Sequence, residues 1–207
     1  NYIEKIICMD LQMKKFIDKY HGADLSFVAA STGNHALGVL KAAEILNVSG
    51  VTIFISENGI FVDMKNKNLY IIAGCNGAGK TTASFTILPE ILHCKEFVNA
   101  DEIAKGLSPF QPEKVAVEAG RIMINRINDL FKENLSFAFE TTLATKSYRN
   151  KILSAKKEGY TITLLFFWLQ TIELAKERVA TRVLEGGHNI PSDIIERRYL
   201  NGIKNLF

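Results

Sequence analysis

The sequence predicts an α/β fold built on a mostly parallel sheet, and three observations carry that expectation. Apolar, β-branched runs alternate with helix-like stretches along most of the 207 residues. A glycine-rich turn stands between one such run and the helix that follows it. Hydrophobic residues make up 47% of the chain, enough to cover both faces of a sheet. Strands that alternate with helices pair in parallel, because each crossover helix returns the chain to the same end of the sheet. No apolar run approaches the roughly 20 residues needed to cross a bilayer. The longest run, 162–169, lies between Thr161 and Gln170 and reads as a buried strand. Asn1 is not an initiator Met and residues 2–7 do not form a charged-then-apolar leader, so the cytoplasm is the expected location. Cys8, Cys75 and Cys94 lack CxxC spacing, which argues against a zinc site and a disulfide framework and leaves buried or loop thiols. A net charge of +3 with mixed signs makes no basic stripe, so neither a nucleic acid nor a membrane is an expected partner.

Taken in order, residues 25–30 read as a strand, 36–46 as a helix and 51–55 as a second strand, a short βαβ fragment within residues 1–63. The turn Ala30-Ser31-Thr32-Gly33-Asn34-His35-Ala36 carries groups suited to a phosphate or cofactor at a helix N-terminus. Residues 27–58 resemble the cofactor-loop region of fold-type II pyridoxal-phosphate enzymes, the threonine dehydratase-like group, in which the Asn matching Asn34 lies against the pyridine ring. That family also needs a Schiff-base lysine upstream in a Ser-Phe-Lys-like setting, and here only Lys5, within Ile3-Glu4-Lys5-Ile6-Ile7, is offered. The expectation is a non-functional fragment without pyridoxal chemistry, since the aldehyde has no nucleophile to meet. At 59–68 the pattern breaks into a polar junction, and Met64 has the look of a former start. Two pieces of different origin, 1–63 and 64–207, are expected to meet there.

Residues 69–73 form the next apolar strand, and Gly74-Cys75-Asn76-Gly77-Ala78-Gly79-Lys80-Thr81 matches GxxxxGK[ST] immediately before a helical stretch. Glycines let successive backbone N–H groups turn inward around phosphates, and a helix N-terminus points at them. This predicts a P-loop NTPase core that binds ATP with Mg²⁺: Gly74, Asn76, Gly77, Ala78 and Gly79 form the cradle, and Lys80 neutralises the β- and γ-phosphates. Thr81 offers a hydroxyl to the metal, and Thr82 is a further contact to the α-phosphate. Downstream the chain alternates through strand 96–100, helix 113–132, strand 136–140, helix 146–157, strand 161–168 and helix 172–184. In the first of these helices Val115, Ala119, Ile122, Met123, Leu130 and Phe131 recur as a core-facing stripe.

Ligands of parallel sheets bind at the carboxyl ends of the strands, and the informative polar residues fall there. Asp101 follows strand 96–100, while Glu140 and Thr141 close strand 136–140. One carboxylate can accept the proton of an acceptor hydroxyl and another can hold magnesium, with Glu140 and Thr141 also placed to touch substrate. Helix capping is the competing reading for Asp101, ahead of Glu102, and for Thr142, ahead of Leu143. Arg178, Arg182, Arg197 and Arg198 flank Gly186-Gly187-His188 as an arginine-bearing, glycine-hinged segment suited to a lid, with solvated surface pairs as the alternative. No acid follows strand 161–168, which disfavours a motor-type ATPase.

Residues 67–207 as a whole resemble the zeta-toxin family of P-loop kinases. The marks are the glycine loop through Thr82, Asn99-Ala100-Asp101-Glu102-Ile103-Ala104, Phe139-Glu140-Thr141-Thr142-Leu143, Arg182-Val183, Gly186-Gly187-His188-Asn189-Ile190-Pro191 and Arg197-Arg198-Tyr199. The resemblance implies phosphorylation of a small hydroxyl-bearing molecule. UDP-N-acetylglucosamine is first among acceptors, Asp101 is the base, and lid arginines such as Arg182 and Arg197 lie on the triphosphate. It also makes an antitoxin protein a candidate partner, although residues 1–63 do not resemble the small helical antitoxin of such systems. Family members normally continue beyond the helix in which 202–207 falls. A nucleotide-binding regulatory module with little or no catalysis, and an inactive composite chain, are the alternative expectations.

Overall fold

The computed structural model describes residues 5–7, 51–52 and 67–206. Four strands make the parallel centre of the sheet: β3 (Asn68–Gly74), β4 (Phe97–Val98), β5 (Phe137–Thr141) and β6 (Thr161–Leu169). Two short segments border it, β1 (Lys5–Ile7) and β2 (Val51–Thr52). The order is β1-β6-β3-β5-β4, with β2 antiparallel to β6 at Leu169 and Trp168 and every other pairing parallel. The expected strand 25–30 and helix 36–46 lie outside the described residues. Of the expected strand 51–55, Val51 and Thr52 pair with β6, as do residues 5–7.

β3 occupies the middle of the sheet and all seven of its residues are buried. This is why it reads as a continuous apolar run rather than an alternating one. β6 is buried from Ile162 to Phe167 for the same reason. Below the sheet's N-terminal edge Phe131, Phe137 and Tyr160 pack edge-to-face, with centroids 4.9 to 6.3 Å apart. The Tyr160 hydroxyl donates to the Leu135 carbonyl at 3.1 Å, so the polar tip of that cluster is satisfied.

The helices are α1 (Lys80–Thr86), α2 (Ala100–Leu107), α3 (Ala116–Lys132), α4 (Arg149–Lys157), α5 (Ile172–Leu184) and α6 (Ser192–Leu206). α1 runs into a π-helical turn, Ile87–Ile91, in which Leu92 N donates to Ile87 O at 3.0 Å. Pro89 explains the widening: it has no N–H to give to the preceding turn, and its ring displaces the carbonyl there. The expected helix 113–132 begins instead as a 3-10 turn, Pro112–Val115, before α3. In α3, Ala119, Met123, Ile127 and Leu130 face the core, while Ile122 is 38% exposed and departs from the expected stripe.

The expected helix 146–157 begins only at Arg149, because the chain after β5 makes a loop in which Leu143 has φ +56° and its N–H is taken by Thr141 Oγ1 at 3.1 Å. Thr142 therefore caps no α-helix. α5 has the expected bounds and is capped by Thr171, whose side chain accepts from Leu174 N. Cys75 and Cys94 are free and buried, whereas Cys8 lies outside the described residues. Among the described residues no helix is long and apolar enough to cross a membrane.

Candidate functional site

The glycine loop leaves the carboxyl end of β3 and enters α1 at the middle of the sheet, where β5 and β6 flank it. Two of its glycines are required by close approach. A side chain on Gly74 would bring Cβ to 2.1 Å from the Phe167 carbonyl oxygen of β6, at φ +142°. One on Gly77 would meet the Ala175 carbonyl at 2.9 Å and the Arg178 Cβ at 3.2 Å, at φ +80°. Thus the loop is clamped between β6 and the face of α5 that carries Arg178. Asn76 is buried and its Oδ1 accepts from Arg198 Nη1 at 3.2 Å, which ties α6 to the same loop.

Lys80 and Thr81 begin α1 and point toward β5. Lys80 is buried, donates to the Cys75 carbonyl at 3.0 Å and lies 3.4 Å from Glu140 Oε1. Thr81 Oγ1 donates to Glu140 Oε2 at 2.8 Å. β5 places Glu140 there because Ile72 of β3 is its partner in register, setting the carboxylate level with the start of the loop. Burial pushes the neighbouring Cys75 thiol up to about 11, against the lowering influence of Lys80, so it stays protonated at neutral pH. It is no thiolate nucleophile.

Asn99 sits between β4 and α2 and is 5% exposed. Its Oδ1 caps α2, accepting from Asp101 N at 2.8 Å and Glu102 N at 3.4 Å. Asp101 therefore does not cap that helix; it stands in the first turn with an exposed side chain. Thr141 spends its hydroxyl on the Leu143 N–H, and Thr82 is exposed.

On the arginine-bearing segment, α5 ends at Leu184 and Gly186 has φ +91°. Arg182 Nε and Nη2 are buried and find no hydrogen-bond partner among the described residues. Burying guanidinium donors without an acceptor is costly, so the position suits an anion. Arg182 lies one turn beyond Arg178, and its Cγ and Nε stand where a Cβ on Gly187 would come within 2.8 and 3.2 Å. Arg197 is exposed, whereas its neighbour Arg198 reaches the loop. Two contributors escaped the sequence reading, Asn99 as a bridge between elements and Arg198 as a loop contact. Asn99 had a signal: Asn at a strand-to-helix junction is a preferred cap.

The zeta toxin family model matches residues 55–206. An uncharacterised protein of Haemophilus influenzae is 29% identical over 136 residues, which cover 66% of this chain and 94% of that protein. A chain of the Pnkp1/Rnl/Hen1 RNA repair complex superposes with a TM-score of 0.53 at 20% identity, over 68% of this chain and 45% of that one. This chain thus spans less than half the length of that structural neighbour, and the likeness is one of fold. A gluconokinase from Sinorhizobium meliloti 1021 superposes with a TM-score of 0.44 at 14% identity, over 66% of this chain and 74% of that one. The resemblance of residues 27–58 to pyridoxal-phosphate enzymes finds no support in these matches.

Proposed function

This chain belongs to the zeta toxin family, and from that premise we propose that it is an ATP-dependent kinase acting on a hydroxyl of a small molecule, with UDP-N-acetylglucosamine the first acceptor to test. The observation that carries the reading is the cluster of Lys80, Thr81 and Glu140 packed at the mouth of the glycine loop. An ammonium, a hydroxyl and a carboxylate converge where a triphosphate and its metal would need a cation and two hard oxygen donors.

The donor chemistry fits Mg²⁺. Thr81 Oγ1 and Glu140 Oε2 are adjacent, and magnesium takes one or two protein oxygens and completes its shell with phosphate and water. Thr81 and Glu140 would hold Mg²⁺, which would supply neutralisation of the charge that develops on the phosphates. Loop N–H groups cradle the phosphates, and Lys80 exchanges its contacts with Glu140 and the Cys75 carbonyl for phosphate oxygens. Asp101, at the carboxyl end of the neighbouring strand, accepts the proton from the acceptor hydroxyl. The acceptor oxygen then forms a bond to the γ-phosphorus as the bond to the β,γ-bridging oxygen breaks, and ADP leaves. Arg182 brings unsatisfied buried donors to the transferred charge, and Arg197 closes over the site from α6 in the lid role.

The test is incubation with MgATP and a panel of nucleotide sugars, read by mass. Gain of one phosphoryl group on a sugar nucleotide is the expected result. ATP binding without transfer to any acceptor would replace the kinase reading with a nucleotide-binding regulatory module.

A further inference from the structure

Asn99 touches three parts of the site at once. Its Oδ1 accepts from the backbone of Asp101 and Glu102 at 2.8 and 3.4 Å. Its Nδ2 donates to Glu140 Oε2 at 2.9 Å and lies 3.3 Å from Thr81 Oγ1. The amide can face only one way. Turned over, its NH₂ would meet two backbone N–H groups and its oxygen would meet a carboxylate, so the contacts with Asp101 N, Glu102 N and Glu140 Oε2 would become donor against donor or acceptor against acceptor. Those contacts join α1 through Thr81, β5 through Glu140 and the first turn of α2, which carries Asp101.

We propose that Asn99 is a positioning residue for phosphoryl transfer, locking Glu140 and Thr81 at a set distance from the start of α2 so that one amide registers metal ligands and base together. The inference rests on the kinase reading and on Thr81 and Glu140 as the oxygen donors to Mg²⁺. Glu140 has four lone-pair sites, of which Asn99 and Thr81 occupy places on Oε2 while Oε1 faces Lys80. When Lys80 turns to phosphate and Thr81 turns its oxygen to the metal, the Asn99 amide still donates to Oε2 and keeps the carboxylate from rotating. Groups that orient metal ligands in this way are worth about 10- to 100-fold in metal affinity or activity.

The test uses Asn99→Ser, because Ser caps a helix about as well as Asn but is too short to present an amide to Glu140. Binding of Mn²⁺ to the full chain with a non-hydrolysable ATP analogue, followed by electron paramagnetic resonance, is compared with thermal unfolding. The expected result is Mn²⁺ affinity about 10- to 100-fold weaker with the unfolding midpoint near that of the parent protein. A cycle with Glu140→Gln adds a second reading: acting through Glu140, Asn99→Ser costs little further in that background, whereas a capping role would add the same decrement in both. Parent-like Mn²⁺ affinity in Asn99→Ser, or equal decrements in the cycle, overturns the assignment of Asn99 alone. Failure of the parent protein with the analogue to bind Mn²⁺ overturns this inference and the kinase reading together. Asn99→Gly, also a favoured capping residue, replaces Ser in the same measurements if the Ser variant unfolds.

Discussion

Lys80 is buried beside Glu140, and this arrangement makes its removal a double loss. Lys80→Ala removes the cation proposed to hold the triphosphate and also leaves Glu140 without its ion partner. A charge-assisted contact is worth about 1.5–3 kcal/mol, so ATP binding should weaken on the order of 10- to 100-fold. Calorimetric titration with MgATP checks this, and unchanged affinity would place the nucleotide elsewhere. The base role proposed for Asp101 gives a test that separates binding from chemistry. Since Asn99 caps α2, Asp101→Asn leaves the cap intact and removes only the carboxylate's basicity. Phosphoryl transfer should fall about 10²- to 10⁴-fold while MgATP still binds. A variant with full transfer activity would deprive Asp101 of the base role.

At the scale of elements, α6 is held across the carboxyl ends of the strands by contacts along its length. Arg198 reaches Asn76 of the loop, and Tyr199 donates to the Leu169 carbonyl at 2.8 Å while accepting from Trp168 Nε1 at 3.0 Å. Asn205 Nδ2 donates to the Leu143 carbonyl at 2.9 Å. Gly202 allows this approach, because a Cβ there would stand 2.8 Å from the Thr142 carbonyl oxygen. Two effects compete in Gly202→Ala. Helix propensity favours Ala by about 0.5–1 kcal/mol, and overpacking against backbone costs about 1–3 kcal/mol. Overpacking is the larger, so the variant should melt several degrees below the parent protein by circular dichroism. A higher midpoint would mean that α6 can lift from the loop after β5 at no cost.

For the whole molecule, burial couples stability to pH in the alkaline range. The Cys75 and Cys94 thiols are each raised by burial from 9.0 to about 11, and burial raises Tyr70 to about 12. The unfolded chain therefore loses these protons first as pH rises and binds fewer of them than the folded chain. Stability is full below about pH 9 and falls as pH climbs toward 11, by about 1.4 kcal/mol per pH unit for each thiol still protonated only in the fold. Urea denaturation between pH 8 and 11 should show that decline, and it should be shallower in the Cys75→Ala, Cys94→Ala double variant. Equal slopes would mean that other groups carry the alkaline loss.

The alternation of strands and helices, the place of the glycine loop between β3 and α1, and the bounds of α5 were all legible in the sequence. Each depends on near neighbours: side-chain periodicity against one buried face, and φ freedom or close approach at glycines. The positions of Asp101 just beyond β4 and of Glu140 near the carboxyl end of β5 were legible for the same reason. What the sequence did not disclose is which atoms meet. Thr81 and Glu140 are 59 positions apart, and only the β3–β5 register, with Ile72 opposite Glu140, sets the carboxylate against the hydroxyl. A slip of one residue would turn Glu140 to the other face of the sheet. Asn99 as bridge and cap, Arg198 rather than Arg197 on the loop, and the loop of Thr142 and Leu143 beneath Gly202 are likewise decided between distant segments. Local sterics write the elements into the sequence, whereas register and packing, which sum contacts over the whole core, choose the partners that make them a site.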